Sequence, residues 1–135
     1  MLEPGLADSF HLEIDGISAA SFSRLSGLGA RVQVVDVEEG GRVEVRRLRG
    51  ATIYSNIVLE RGVVRDLGLY EWFSSGDRRD GAVVLLGGDG REILRWTFVR
   101  GWPCRWEGPV LDAGEAEVAL ELLEIAHEGL RCTLR

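Results

Sequence analysis

The stretch GAVVLLGGDGREILRWTFVR, residues 81–100, decides the fold class. Gly81 to Leu86 is a compact apolar run. Gly87-Gly88-Asp89-Gly90 is a strong hairpin turn. Arg91 to Arg100 then alternates, with Leu94, Trp96 and Phe98 on one side and Arg95, Thr97 and Val99 on the other. A period of two is the mark of a half-buried β-strand. Two strands around a Gly-rich turn are a β-hairpin, and the rest of the chain follows the same style.

Working outward, Phe10 to Ile14 alternates in FHLEIDGI, with Asp15-Gly16 as a turn signal. Ser18 to Leu28 reads as a short strand with loops. Arg31 to Val37 and Arg42 to Arg49 read as two arms of a hairpin around Glu38-Glu39-Gly40-Gly41. The second arm is rich in Arg and poor in apolar residues, so it is either solvated or paired with another chain. Asn56 to Gly62 is a further strand. Asp66 to Ser75 changes period: Leu67 and Tyr70, with Leu69, Trp72 and Phe73, recur at helical spacing. This predicts a short amphipathic helix with Asp66 as N-cap, closed by Ser75-Gly76-Asp77. Glu115 to Ile125 fits two templates. Its Ala, Glu and Leu favour a helix by propensity, and Val118, Leu120 and Leu122 fit a strand stripe.

Composition agrees with a folded, mainly β chain. The 135 residues make one domain, 1–135, 45% hydrophobic and 28% charged. Glycine numbers 18, about 13% of the chain against a usual 7%, and so many glycines beside 3 prolines indicate many tight turns. No apolar window reaches the roughly 18 residues of a membrane span. The opening MLEPGLADSF has neither the basic region nor the apolar core of a secretory signal, so a cytoplasmic chain is expected.

The formal charge is −6, from 22 acidic and 16 basic residues, which argues against a general phosphate binder. Every basic residue is Arg. Arg pairs bidentately with carboxylates, which suits protein–protein contacts. Codon usage in a GC-rich genome is the plainer account of the all-Arg usage.

Catalytic chemistry is thinly represented. His11 and His127 are far apart in sequence and lack metal-ligand spacing. Cys104 and Cys132 form no CxxC motif, and Cys104 is expected to pack in the interior. Gly87 to Gly90 lacks the Lys-Ser/Thr of a phosphate loop. No catalytic, cofactor or metal residue is assigned. The densest feature is aromatic: Trp96, Trp102 and Trp106 beside Arg95, Arg100 and Arg105. It reads equally as an interface hot spot and as a core at a strand corner.

Three blocks carry a resemblance. They are YSNIVLERGV at 54–63 running on to LYEWF at 69–73, RWTFVRGWPCRWEGP at 95–109, and EVALELLEIAHEGL at 117–130. FHLEIDGI followed by FSRLSGL matches more weakly. In order and spacing the chain resembles bacteriophage tail tube proteins and the inner tube proteins of phage-tail-like contractile injection systems. The resemblance implies an antiparallel β-sandwich or partial barrel with one short flanking helix, which completes a β-barrel lining in a hexameric ring. It implies a strand, not a helix, in the third block. It implies no enzyme activity and no cofactor. The function it implies is that of a structural subunit of a hollow tube, stacked ring on ring and serving as conduit or spike shaft.

Its partners would then be further copies of itself, sheath and baseplate or spike proteins, and cargo protein or DNA in the lumen. Assembly would be cytoplasmic, and the product a virion or phage-tail-like particle. The expected assembly residues are Arg31, Glu38, Glu39, Arg42, Arg46, Arg47, Arg49, Tyr54, Asn56 and Arg61. Trp72, Trp96, Trp102, Pro103 and Trp106 are expected in the core and its corner. Two alternatives stand beside this reading: a ring that initiates the tube at the baseplate, and a monomeric β-barrel binding a small ligand.

Overall fold

The computed structural model describes residues 9–15, 17, 22–63, 65–114 and 119–134. The expectations for Gly16, for positions 18–21 and for positions 115–118 fall outside them. The chain runs β1 (Ser9–Ile14), β2 (Phe22–Ser26), β3 (Ala30–Val37), β4 (Arg46–Tyr54), β5 (Ile57–Gly62), α1 (Gly68–Ser75), β6 (Arg79–Leu86), β7 (Glu92–Glu107), β8 (Leu120–Ala126) and β9 (Gly129–Leu134).

Seven strands form one antiparallel sheet in the order β1-β6-β7-β8-β5-β2, with β9 also paired to β7. The expected mainly β fold with one short helix is therefore present. The 16-residue strand β7 belongs to both halves of the sheet. Its first part pairs with β6 and β9, and from Trp102 onward it pairs with β8. The bend lies at Arg100, whose φ of 52° is in the left-handed region, and its N–H is donated to Asp80 Oδ1 at 2.9 Å. Gly101 follows because a side chain there would press on the Phe98 ring and on Ile125. The two halves thus fold over one core of Leu12, Ile57, Leu59, Val83, Phe98, Leu123 and Ile125, closed by Leu69 and Trp72 from α1.

Period-two alternation sets this core. Ile57 opposes Ile125, Leu59 opposes Leu123, and Arg61 opposes Glu121, all facing inward. In the third block the strand prevails because β8 is flanked by β5 and β7, and ladder bonds on both edges outweigh the helix propensity of Leu and Glu. The helix starts later than Asp66. Leu67 occupies the cap position, and the Asp66 carboxylate instead accepts the Gly68 N–H at 2.8 Å. Gly76, at φ 69°, ends it in the left-handed conformation as expected.

The strands β3 and β4 form a separate two-stranded sheet. The second arm begins at Arg46, not Arg42, and continues to Tyr54. Residues Glu38 to Val45 are a loop, turned by the Arg42 N–H donating to the Glu39 carbonyl at 3.2 Å. The tight Gly40-Gly41 signal therefore sits inside a longer connection. No core lies beneath it to fix the register.

The hairpin leaves the body through Gly27–Gly29 and Ser55–Asn56, where the Ser55 N–H donates to the Gly29 carbonyl at 3.0 Å. Gly27 has φ 94°, and a Cβ there would collide with the Asn56 carbonyl. Gly27→Ala is expected to lower stability by about 1–3 kcal/mol, from the left-handed conformation alone, with the collision adding to it. Thermal denaturation checks this, and an unchanged melting temperature would contradict the geometry.

Candidate assembly surface

The hairpin is the feature that the body leaves uncovered. Val34, Val35 and Leu48 are exposed at 55%, 45% and 42%. Opposed pairs along it are Arg31 with Ile53, Val34 with Arg49, Val35 with Leu48 and Asp36 with Arg47, with a bulge between Val32 and Val34. Among the described residues neither strand pairs with any third strand. An isolated two-stranded hairpin is marginal in water, and its open edges invite pairing.

Its charges divide into two sets. Arg46 Nη1 donates to Glu39 Oε1 at 2.9 Å, Arg42 lies 3.6 Å from Glu39, and Arg47 Nε donates to Asp36 Oδ1 at 3.3 Å. These pairs hold the hairpin's own shape. Arg31, Arg49 and Glu38 are exposed with no ion pair among the described residues.

Tyr54 closes the base, its ring centroid 5.6 Å from that of His127. The two nitrogens of His127 lie 3.0 Å from the Ser55 carbonyl oxygen and 3.1 Å from that of Gly129. This imidazole thus ties the hairpin base to β9. Asn56 lies beside it and donates to Glu124 Oε2 at 2.8 Å, and Arg105 pairs with the same carboxylate at 3.1 Å.

Arg61 is not on any surface. It is wholly buried, with Nε donating to Glu121 Oε1 at 2.9 Å and Nη2 to Asp66 Oδ1 at 3.3 Å. Trp106 Nε1 donates to the other Glu121 oxygen at 2.8 Å, and the guanidinium lies over the Phe22 ring. The expectation of an interface role is corrected accordingly: Arg61 is an internal strut between β5, β8 and the start of α1. Its buried partner, Glu121, is 60 residues away in the chain, so no local pattern marks the pair.

The tryptophans split. Trp72 is buried, and its Nε1 donates to the Asp77 carbonyl at 2.7 Å. Trp96 and Trp106 pack partly buried against the core, Pro103 is buried, and Trp102 is exposed beneath Arg78. Cys104 is exposed, contrary to the expectation of interior packing, because it lies on the outer face of its half-sheet beside Glu124. Partial burial and the neighbouring Glu124 charge push its thiol pKa up, away from the reactive thiolate. A group of three or more His, Cys, Asp or Glu placed to hold a metal is not found among the described residues, and no helix is long and apolar enough to cross a membrane.

The described residues thus form a bent antiparallel β-sheet with one flanking helix and a two-stranded hairpin that the body leaves uncovered. The chain belongs to the T4-like virus tail tube protein gp19 family, which it matches over residues 7–131. It is a structural tube subunit.

Three solved structures bear on the fold. A chain of the anti-feeding prophage baseplate, six-fold symmetrised, is 27% identical, with a TM-score of 0.85 over 98% of this chain and 97% of that one. A chain of the extended sheath–tube complex of PVC, an extracellular contractile injection system, is 19% identical, with a TM-score of 0.86 over 98% and 91%. Hcp1 from Flavobacterium johnsoniae is 15% identical, with a TM-score of 0.66 over 93% and 94%. No curated protein matches the chain in sequence.

Proposed function

We propose that six copies of this chain close a ring, that the rings stack into the inner tube of a phage-tail-like contractile injection particle, and that the β3–β4 hairpin is the element that joins neighbours. The observation that carries this reading is the hairpin itself. It exposes Val34, Val35 and Leu48 and leaves both strand edges open in a chain whose remaining strands share one sheet. A neighbouring copy supplies both missing partners, and closure of the ring removes the edges. The resemblance to chains from a six-fold baseplate and from a sheath–tube complex supports six-fold symmetry, with sheath and baseplate proteins as further partners. The tube is assembled in the cytoplasm, serves as conduit for protein or DNA cargo, and performs no catalysis.

A second reading has an observation in its favour. The baseplate chain shares more identity with this chain than the sheath–tube chain does, 27% against 19%. The chain would then form the ring on which the tube is initiated. The ligand-barrel reading has less support, since Trp72, Phe98 and their aliphatic neighbours fill the interior where a ligand cavity would lie.

Negative-stain electron microscopy and solution mass of the purified protein test the proposal. Long hollow tubes are expected. Single rings that do not stack would favour the initiating ring, and a monomer at high concentration would count against both.

A further inference from the structure

We propose that His127 is a pH-sensitive latch that sets the direction of the β3–β4 hairpin: its protonated ring holds the hairpin base against the start of β9, and loss of the proton loosens it. The latch is a property of the single copy and does not depend on the tube reading.

The ring lies where three parts of the chain meet. It follows β8 directly. Its Nε2 is 3.0 Å from the Ser55 carbonyl oxygen at the hairpin base, and its Nδ1 is 3.1 Å from the Gly129 carbonyl oxygen at the start of β9. Both nitrogens therefore face acceptors. A carbonyl oxygen cannot donate, and a neutral imidazole carries only one N–H. The neutral ring thus satisfies one carbonyl and sets a bare lone pair against the other. The imidazolium donates to both, and a bond from a charged donor is the stronger kind.

Two aromatic rings flank the imidazole. The centroids of Tyr54 and Phe98 lie 5.6 and 6.0 Å from its own. Phe98 is wholly buried in the core and Tyr54 belongs to β4, so the imidazole stands between body and hairpin. His127 is half-buried, and a proton reaches it without unfolding.

The charged groups nearby are engaged elsewhere. Glu128, next in the chain, accepts from Arg100 Nε of β7 at 2.6 Å and from Arg78 Nη1 at 3.3 Å. Glu124 of β8 accepts from Asn56 at 2.8 Å and pairs with Arg105 at 3.1 Å. Arg131 of β9 and Tyr54 line the groove beside the junction. Among the described residues none of these side chains forms a hydrogen bond or an ion pair with the imidazole, whose polar partners are the two backbone carbonyls.

The hairpin is free to respond. Neither β3 nor β4 pairs with a third strand among the described residues. The Ser55 N–H donates to the Gly29 carbonyl, and the Ser55 carbonyl is the group the latch holds. A change at Ser55 therefore redirects the hairpin without repacking the core, which contains none of its residues.

The test uses a His11→Gln parent, which removes the other imidazole, at a dilution where the solution mass is that of a monomer. Exchange of the Ser55 backbone N–H is followed from about pH 5 to pH 8, where histidines titrate, and corrected for the intrinsic pH dependence of exchange. Its protection is expected to fall about tenfold as the pH rises, in line with the loss of one hydrogen bond from a charged donor. His127→Gln is expected to remove that dependence. Nitrogen-15 spectra of the labelled parent at the acid end are expected to show both ring N–H protons, because a hydrogen bond holds each against exchange. Should the glutamine variant fail to fold, the parent's exchange profile and ring spectra decide the matter. Protection that ignores pH in the parent, an equal pH dependence in His127→Gln, or a ring with only one visible N–H at the acid end would each overturn the latch.

Discussion

Arg61→Ala is expected to lower stability by about 3–5 kcal/mol, the usual cost of removing one member of a buried ion pair. Arg61 has no exposed surface, and Glu121 only 8%. Without the guanidinium, the Glu121 carboxylate keeps, among the described residues, only Trp106 Nε1 as partner in an apolar layer, and Asp66 loses its link to β5. Arg61→Lys should lose part of this, since an ammonium cannot present the guanidinium fork to two carboxylates at once. Arg61→Met combined with Glu121→Leu should recover most of the loss, because both charges leave together. Thermal and urea denaturation measure all three. A single alanine variant as stable as the parent would show that the pair contributes nothing.

The same strut has a pH signature. The Gly68 N–H, then Arg61, holds the Asp66 carboxyl below its ordinary pKa, and Arg95, then His11, does the same for Glu13. Carboxyls depressed by folding contribute stability that is present above the unfolded value, near pH 4. It is lost as pH falls through the folded value. Asp66→Asn should therefore flatten the acid limb of the stability profile.

What the sequence reveals and what it hides follow from how local the causes are. The β6–β7 hairpin is legible because its turn chemistry and its alternation lie within 20 residues. Strand β8 is ambiguous in isolation, because the pairings that decide it come from β5 and β7, and only the order of the three family-like blocks points to a strand. β9 goes unread because it follows β8 with no more than His127 and Glu128 between them. The second arm of the long hairpin starts four residues later than its sequence suggests, at Arg46 in place of Arg42, since Val43 and Val45 alternate like a strand but have nothing to pack on. Arg61 looks like a surface charge until its partner at position 121 is seen opposite it. Residues whose role depends on distant pairing are the ones that sequence alone misassigns.

Replacing Arg31–Ile53 by Gly-Gly, joining Ala30 directly to the Tyr54 side, is expected to abolish ring and tube formation and to leave the body folded. Ala30 and Tyr54 are already a cross-strand pair, so a two-residue turn closes the gap. The core draws nothing from the excised residues, and the melting temperature should stay within a few degrees of the parent's. A finer pair of variants separates the charges. Arg31→Glu with Arg49→Glu reverses two arginines that have no ion pair among the described residues, so its effect should fall on assembly. Arg46→Glu with Arg47→Glu places new carboxylates beside Glu39 and Asp36, so it should disorder the hairpin and block assembly by that route. Solution mass together with backbone hydrogen exchange of residues 30–54 distinguishes the two. Loss of rings with the hairpin still protected is expected for the first variant, and loss of both for the second. Rings of normal mass from the excised chain would remove the hairpin from the assembly altogether and move the search to the open edges of β2 and β9.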